Sequence, residues 1–298
     1  MGKSLGIFLT GRIATGVIEG QTPCTSVIQY PDDPDDTDFL LDTPLDGLIE
    51  LVRAQVLRAT RESGPVDAVG LAVPGIVRDG VVEDSPNLIQ LKGARMVDRM
   101  RIALKGIGLV VPVTVLNDAD AVAAGVAAKY GRLDKFIRVW TLGYGIGFGR
   151  HPYTEGIWEG GHCVVTLDAG EMYCGCGGRG HLEGIMGHRA MRLRFLDMEP
   201  EEVFANAKAG DERCVKFVRL WHRSLAAATS NSIHMEGAGR FYYTGFNVRF
   251  LDLKLLKHYL QQMIKMSPIQ NYVVEAIPMD EDLAVTGAAI AAMHAEGR

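Results

Sequence analysis

Residues 110–129 read VVPVTVLNDADAVAAGVAAK, and this one stretch decides the fold class. Its opening, Val110 to Leu116, is a short run rich in β-branched residues, the composition of a buried strand. From Ala119 to Lys129 the run becomes Ala-rich, which predicts a helix. Asn117 and Asp118 stand where the strand hands over to the helix, and ligands of α/β sheets gather at such strand ends. A carboxylate held there by backbone can take a proton from a substrate hydroxyl, which makes Asp118 the candidate base. Asn and Asp are also favoured helix caps, and on its own the pair reads first as a cap.

Working outward, Leu5 to Leu9 and Gly16 to Ile18 read as two short strands of a hairpin. Pro31 to Asp38 is an acidic, proline-broken loop, Leu45 to Glu62 has helical spacing, and Val66 to Val73 is a buried strand ending in Pro74-Gly75. Ile76 to Val82 and the turn Ser85-Pro86-Asn87 follow. Downstream, a strand over Phe136 to Leu142 runs into GYGIGFG at residues 143–149, whose glycines suit either close backbone approach to a ligand or a tight hairpin. Helices fill the chain from about Arg189 through Met263, interrupted by Phe241 to Val248, and Leu283 to Ala295 is a last helix.

Residues 159–183, EGGHCVVTLDAGEMYCGCGGRGHLE, carry a second signal. His162, Cys174, Cys176 and His181 are two nitrogens and two sulfurs on a Gly-rich backbone, the donor set of a closed structural zinc site. Two buried thiols are the plain alternative. Glu159 and Glu183 flank the set, and such a site needs neither, so both can face a substrate. Cys24, Cys163 and Cys214 read as ordinary small apolar residues. Five cysteines without a signal peptide point to a reducing cytoplasm and away from a disulfide framework.

Composition bounds the function. The 298 residues, 47% of them hydrophobic, can bury a large core, and the length favours two domains. With a net charge of −5 and no basic run, a nucleic-acid surface is not expected; no apolar stretch is long enough to span a membrane. Small-molecule chemistry remains.

The motifs PGIV, SPNL, NDADA, TLGYGIG, EGGH and CGCGGRGHLE, in that order, resemble those of the ROK family of repressors, open reading frames and sugar kinases, over nearly the whole chain. The resemblance implies an α/β, two-lobed fold, actin-like and hexokinase-like with a ribonuclease H-like core, holding a sugar or glycoside in the interlobe cleft. Its lobes would be residues 1–116, with helix 284–298 packing back on them, and residues 117–283, with the zinc loop. It makes Asp118 the catalytic base, has Asn117 and Asp118 bind sugar hydroxyls, and places Glu159, His162 and Glu183 on the anomeric side and Gly75 and Asn87 on the opposite wall. The family's zinc ligands are usually one His and three Cys, so His181 takes a Cys position, and the loop from His162 to Cys174 is two residues longer. The resemblance also implies a homodimer.

The departures cluster on the nucleotide side. Family kinases open with Asp-x-Gly-Gly-Thr-Lys, where this chain has Ile7, Phe8, Leu9, Thr10, Gly11 and Arg12. The second phosphate loop becomes Gly143-Tyr144-Gly145, with Phe148 for a further glycine, and the adenosine loop reads Thr244-Gly245-Phe246-Asn247. Phosphoryl transfer relies on positioning and charge stabilisation, so this erosion weakens ATP and magnesium use, with Arg12 as a compensating cation. The lead reading is therefore a sugar enzyme that works without ATP, by isomerisation, epimerisation or hydrolysis. The alternatives are an ATP-dependent hexose or N-acylhexosamine kinase and a non-catalytic sugar sensor. A repressor is disfavoured, because the chain starts at its first strand with no DNA-binding helical domain before it.

Overall fold

The computed structural model describes residues 2–33, 39–154 and 156–295; the end of the acidic loop, residues 34–38, lies outside them. In chain order the elements are β1 (Lys3–Leu9), β2 (Ile13–Glu19), β3 (Thr22–Pro23), β4 (Ile28–Tyr30), α1 (Leu45–Ser63), β5 (Ala68–Val73), β6 (Ile76–Arg78), β7 (Val81–Asp84), β8 (Ala94–Arg95), α2 (Met96–Lys105) and β9 (Val113–Asn117). There follow α3 (Asp118–Lys129), β10 (Ile137–Leu142), β11 (Ile146–His151), α4 (Leu182–Met186), α5 (His188–Arg194), α6 (Pro200–Ala209), α7 (Glu212–Glu236), β12 (Arg240–Thr244), α8 (Leu253–Met263), β13 (Val273–Ala276) and α9 (Glu281–Ala295). Two compact units result: Met1–Lys135 with Gly149–Ile157 and Asp280–Arg298, and Phe136–Phe148 with Trp158–Met279. No helix among the described residues is long and apolar enough to cross a membrane.

The first unit is built on a mixed sheet of order β3-β2-β1-β5-β9, with β4 also on β2. β1 and β2 are antiparallel, Leu9 facing Ile13 across a three-residue turn, while β5 and β9 run parallel to β1. Leu5, Ile7, Leu9, Val69 and Leu71 are fully buried, as parallel strands covered on both faces require. α9 reaches the sheet because glycines let backbones touch. A Cβ on Gly6 would sit 1.8 Å from the Val285 carbonyl oxygen, and one on Gly70 would sit 1.9 Å from that of Ala288. The same device joins α9 to α3, where a Cβ on Gly125 would lie 1.8 Å from the Leu283 oxygen and one on Gly287 1.8 Å from that of Ala121. This packing explains why the unit runs on to Lys135, where a boundary at 116/117 is the sequence expectation: α3 has its partner in α9.

A small antiparallel sheet, β6-β7-β8, leads into α2. α2 lies outside the elements expected from the sequence, although its buried Met96, Met100 and Leu104 recur every four residues.

The second unit carries a sheet of order β11-β10-β12-β13, with β10, β12 and β13 parallel. Its core is aromatic: Trp140, Trp221, Phe241 and Tyr243 are almost wholly buried. Arg138 of β10 is fully buried as well. Its guanidinium donates to the carbonyls of Ser232 (3.0 Å) and Gly237 (2.7 Å) at the end of α7 and lies over the Phe241 ring, 4.0 Å from its centroid. A buried charge is tolerable only with such partners.

Candidate functional site

In the first unit, β9 delivers Asn117 and Asp118 directly onto the start of α3. Asn117 is the N-cap: its Oδ1 accepts the Ala119 N–H at 2.8 Å, and its Nδ2 donates to the Gly75 carbonyl at 2.8 Å. Asn117 and Gly75 are thus joined, and one of the two amide N–H groups expected for a sugar is spent on the backbone. Gly75 itself is held in the left-handed region, φ 103°, where a Cβ would meet the Asp84 carbonyl at 2.1 Å. Asp118 is half-buried inside the first turn, with Oδ1 accepting the same Ala119 N–H at 2.8 Å, at the helix end that stabilises a carboxylate. Asn87 lies exposed in the loop after β7.

In the second unit the four candidate metal donors converge. The Cys174 Sγ lies 3.4 Å from both the His162 Nδ1 and the Cys176 Sγ; the His181 Nδ1 lies 3.2 Å from the Cys176 Sγ and 3.4 Å from the His162 Nδ1. All four donor atoms fall within 4.8 Å of one another. A tetrahedral zinc, with bonds of about 2.0–2.3 Å, would hold its ligand atoms about 3.3–3.8 Å apart, so the cluster has the right size for one. Burial pushes the Cys174 thiol up to about 12, and His181 is lowered by burial and by His162 beside it. Two thiolates and two neutral imidazoles are what a cation would draw from this site, with release of protons. Cys163, beside His162, is outside the cluster, its thiol pushed up to about 11 by burial.

The flanking carboxylates take distinct places. Glu159 precedes the single turn Gly160–His162, and its Oε2 lies 3.8 Å from the His162 Nε2. His162 therefore turns Nδ1 to the cluster and Nε2 toward a carboxylate, the arrangement that orients metal-bound imidazoles. Glu183, in the first turn of α4, accepts the Ile146 N–H at 3.0 Å through Oε2, while Oε1 lies 3.7 Å from the Cys174 Sγ. It ties the donor loop to the strand that leaves the Gly143-Tyr144-Gly145 turn.

That turn is the tight hairpin between β10 and β11, closed by Gly143 N–H donating to Gly145 O at 3.0 Å. The Gly143 carbonyl accepts from His188 N–H and from Asn247 Nδ2, each at 3.0 Å. Tyr144 is 64% exposed and leans edge-on against Phe246, with ring centroids 5.0 Å apart. His188 and Asn247 hold this turn; Asn247 belongs to the eroded adenosine loop, whereas His188 is far from every eroded loop in sequence and had no local signal. Gly245 adopts φ 95°, and a Cβ there would lie 2.4 Å from the Leu142 carbonyl. In the first unit the Thr10-Gly11-Arg12 turn closes by the same bond, Thr10 N–H to Arg12 O at 3.0 Å, with Arg12 Nη2 donating to Pro31 O at 2.7 Å.

Comparison with known proteins adds to this geometry. A model of the ROK family matches residues 40–292. A glucokinase of Pyrobaculum calidifontis is 29% identical over 181 residues, a match spanning 55% of this chain and 57% of that enzyme's length. Among solved structures, a ROK hexokinase from Thermus thermophilus superposes with a TM-score of 0.82 at 22% identity, covering 99% of both chains. A ROK family glucokinase from Streptomyces griseus, in complex with glucose and AMPPNP, does so at 0.74 and 23%, covering 98% of this chain and all of that one. The fold is that of the actin-like sugar kinases.

Proposed function

Because the chain belongs to the ROK family, we propose that it is an ATP-dependent hexose kinase, with Asp118 as the base that takes the proton of the sugar hydroxyl under attack. The observation that carries this reading is the division of labour at β9–α3: Asn117 caps the helix, and Asp118 is half-buried one residue inside it. The ATP-independent enzyme loses its lead. It rested on eroded phosphate motifs, whereas the glucokinase relative favours phosphoryl transfer. The erosion has a real consequence at β1, where Ile7 is fully buried between Thr15 and Leu71 and offers no carboxylate for magnesium.

On this reading Glu159, Glu183 and the Nε2 of His162 hold sugar hydroxyls, with glucose the first hexose to try. His162, Cys174, Cys176 and His181 would hold a structural zinc that keeps their loop still. The enzyme acts as a homodimer, checked by light scattering. The deciding experiment measures ADP release with ATP, magnesium and a hexose panel. Release that depends on sugar and disappears in Asp118→Asn supports the kinase; sugar binding without any ADP release removes it.

A further inference from the structure

We propose that Arg194, at the end of α5, is a positioning residue for the metal-donor loop, acting through Glu171; the inference rests on the reading that this loop holds a metal and the sugar. Arg194 and Glu171 form a two-pronged ion pair, Nη1 to Oε1 at 3.0 Å and Nη2 to Oε2, with side chains only 16% and 10% exposed. The guanidinium also lies over the Tyr173 ring, 4.3 Å from its centroid, and 5.4 Å from that of Phe217 on α7. Such a planar fork fixes a carboxylate in direction as well as distance, which a lysine cannot do.

The place of Glu171 gives the pair its consequence. Its carbonyl accepts the Gly180 N–H at 2.8 Å, closing the loop just before His181, and Tyr173 is the residue before Cys174. One side chain on a packed helix therefore fixes both approaches to the donor cluster. The longer His162 to Cys174 segment contains this anchor: Asp168 turns the chain by accepting the Gly170 N–H at 2.8 Å, and Glu171 follows. At its other end α5 starts with His188, whose N–H donates to Gly143 O. The helix is thus fastened to the donor loop by Arg194 and to the β10–β11 turn by His188.

The test compares the full-length protein with Arg194→Met, Arg194→Lys, Glu171→Gln and the charge swap Arg194→Glu/Glu171→Arg. It measures zinc affinity by chelator competition and proteolytic cleavage within residues 163–173. Arg194→Met is expected to weaken zinc retention about 10-fold or more, the size of effect seen when a group supporting a ligand is lost. Cleavage should accelerate, and KM for the sugar should rise more than kcat falls. Arg194→Lys should recover only part, and the charge swap should retain zinc better than Arg194→Met. Wild-type zinc affinity and cleavage in Arg194→Met, with only a lower Tm, would overturn the proposal. Should Arg194→Met fail to fold, the milder Glu171→Gln carries the same test. Should the wild-type protein hold no zinc, the metal reading fails by itself, and the cleavage comparison still decides the role of Arg194.

Discussion

The two units share one plan, an antiparallel hairpin followed by two parallel strands: β2-β1-β5-β9 in the first and β11-β10-β12-β13 in the second. Even the turns close by the same bond. Their means of cohesion differ. The first unit brings backbones together over Gly6, Gly70, Gly125 and Gly287, whereas the second relies on large rings and a buried Arg138, and gathers His and Cys side chains that could hold a metal. One chain topology is thus compatible with two sources of stability, and the chemistry collects where the second source operates, at side chains able to ionise or bind a metal.

The comparison breaks most sharply at Asp118, the one reactive group assigned to the first unit. Asp118→Asn should lower turnover about 100-fold or more while sugar binding persists, since the amide keeps the shape but cannot take the proton. Calorimetric titration beside a turnover assay checks both halves; full activity would reduce Asp118 to a backbone partner of Ala119. Next comes the metal. Cys174→Ser should remove stoichiometric zinc and lower Tm by about 10 °C, because a structural metal contributes its binding energy to folding. Metal analysis and a melting curve with and without chelator read it out.

A third change tests the opposite mode of cohesion. Gly125→Val places a side chain where the Leu283 carbonyl stands, and overpacking of this kind costs about 3 kcal/mol, measured by urea unfolding. Chelator should leave that loss unaltered. The smallest effect belongs to Tyr144→Thr, which replaces an exposed ring with the small hydroxyl of family kinases. It should lower KM for ATP by about 3-fold without moving KM for the sugar; a rise in KM for ATP would instead make the ring a contact of the nucleotide.

How much of this was legible in the sequence depends on the range of the interaction. The β9–α3 hand-over and the four metal donors could be read because their residues are close in sequence and chemically unmistakable. The β10–β11 hairpin was visible only as alternating glycines, equally suited to a ligand loop, and its fixation by His188 and Asn247 comes from residues about 45 and 100 positions away. The pairing of α3 with α9 was hidden for a related reason: glycine close to a distant carbonyl leaves no local pattern. Arg194 and Glu171, 23 residues apart, carry no local signal of their pairing; only the fold joins them and lays the guanidinium near the Tyr173 and Phe217 rings.

The α9 packing has a consequence for how the protein is made. β1, β5 and α3 emerge early from the ribosome, but the helix that covers Gly6 and Gly70 comes more than 150 residues after α3. At translation speeds of about 5–20 residues per second, the bare sheet face waits on the order of 10–30 s for its cover. The second unit is drawn entirely from the intervening residues and can form during that delay. Nascent-chain stalling before and after residue 295 should therefore show the first unit protease-sensitive until its last helix is released, and a chaperone that shields apolar β-surface has its natural opportunity there.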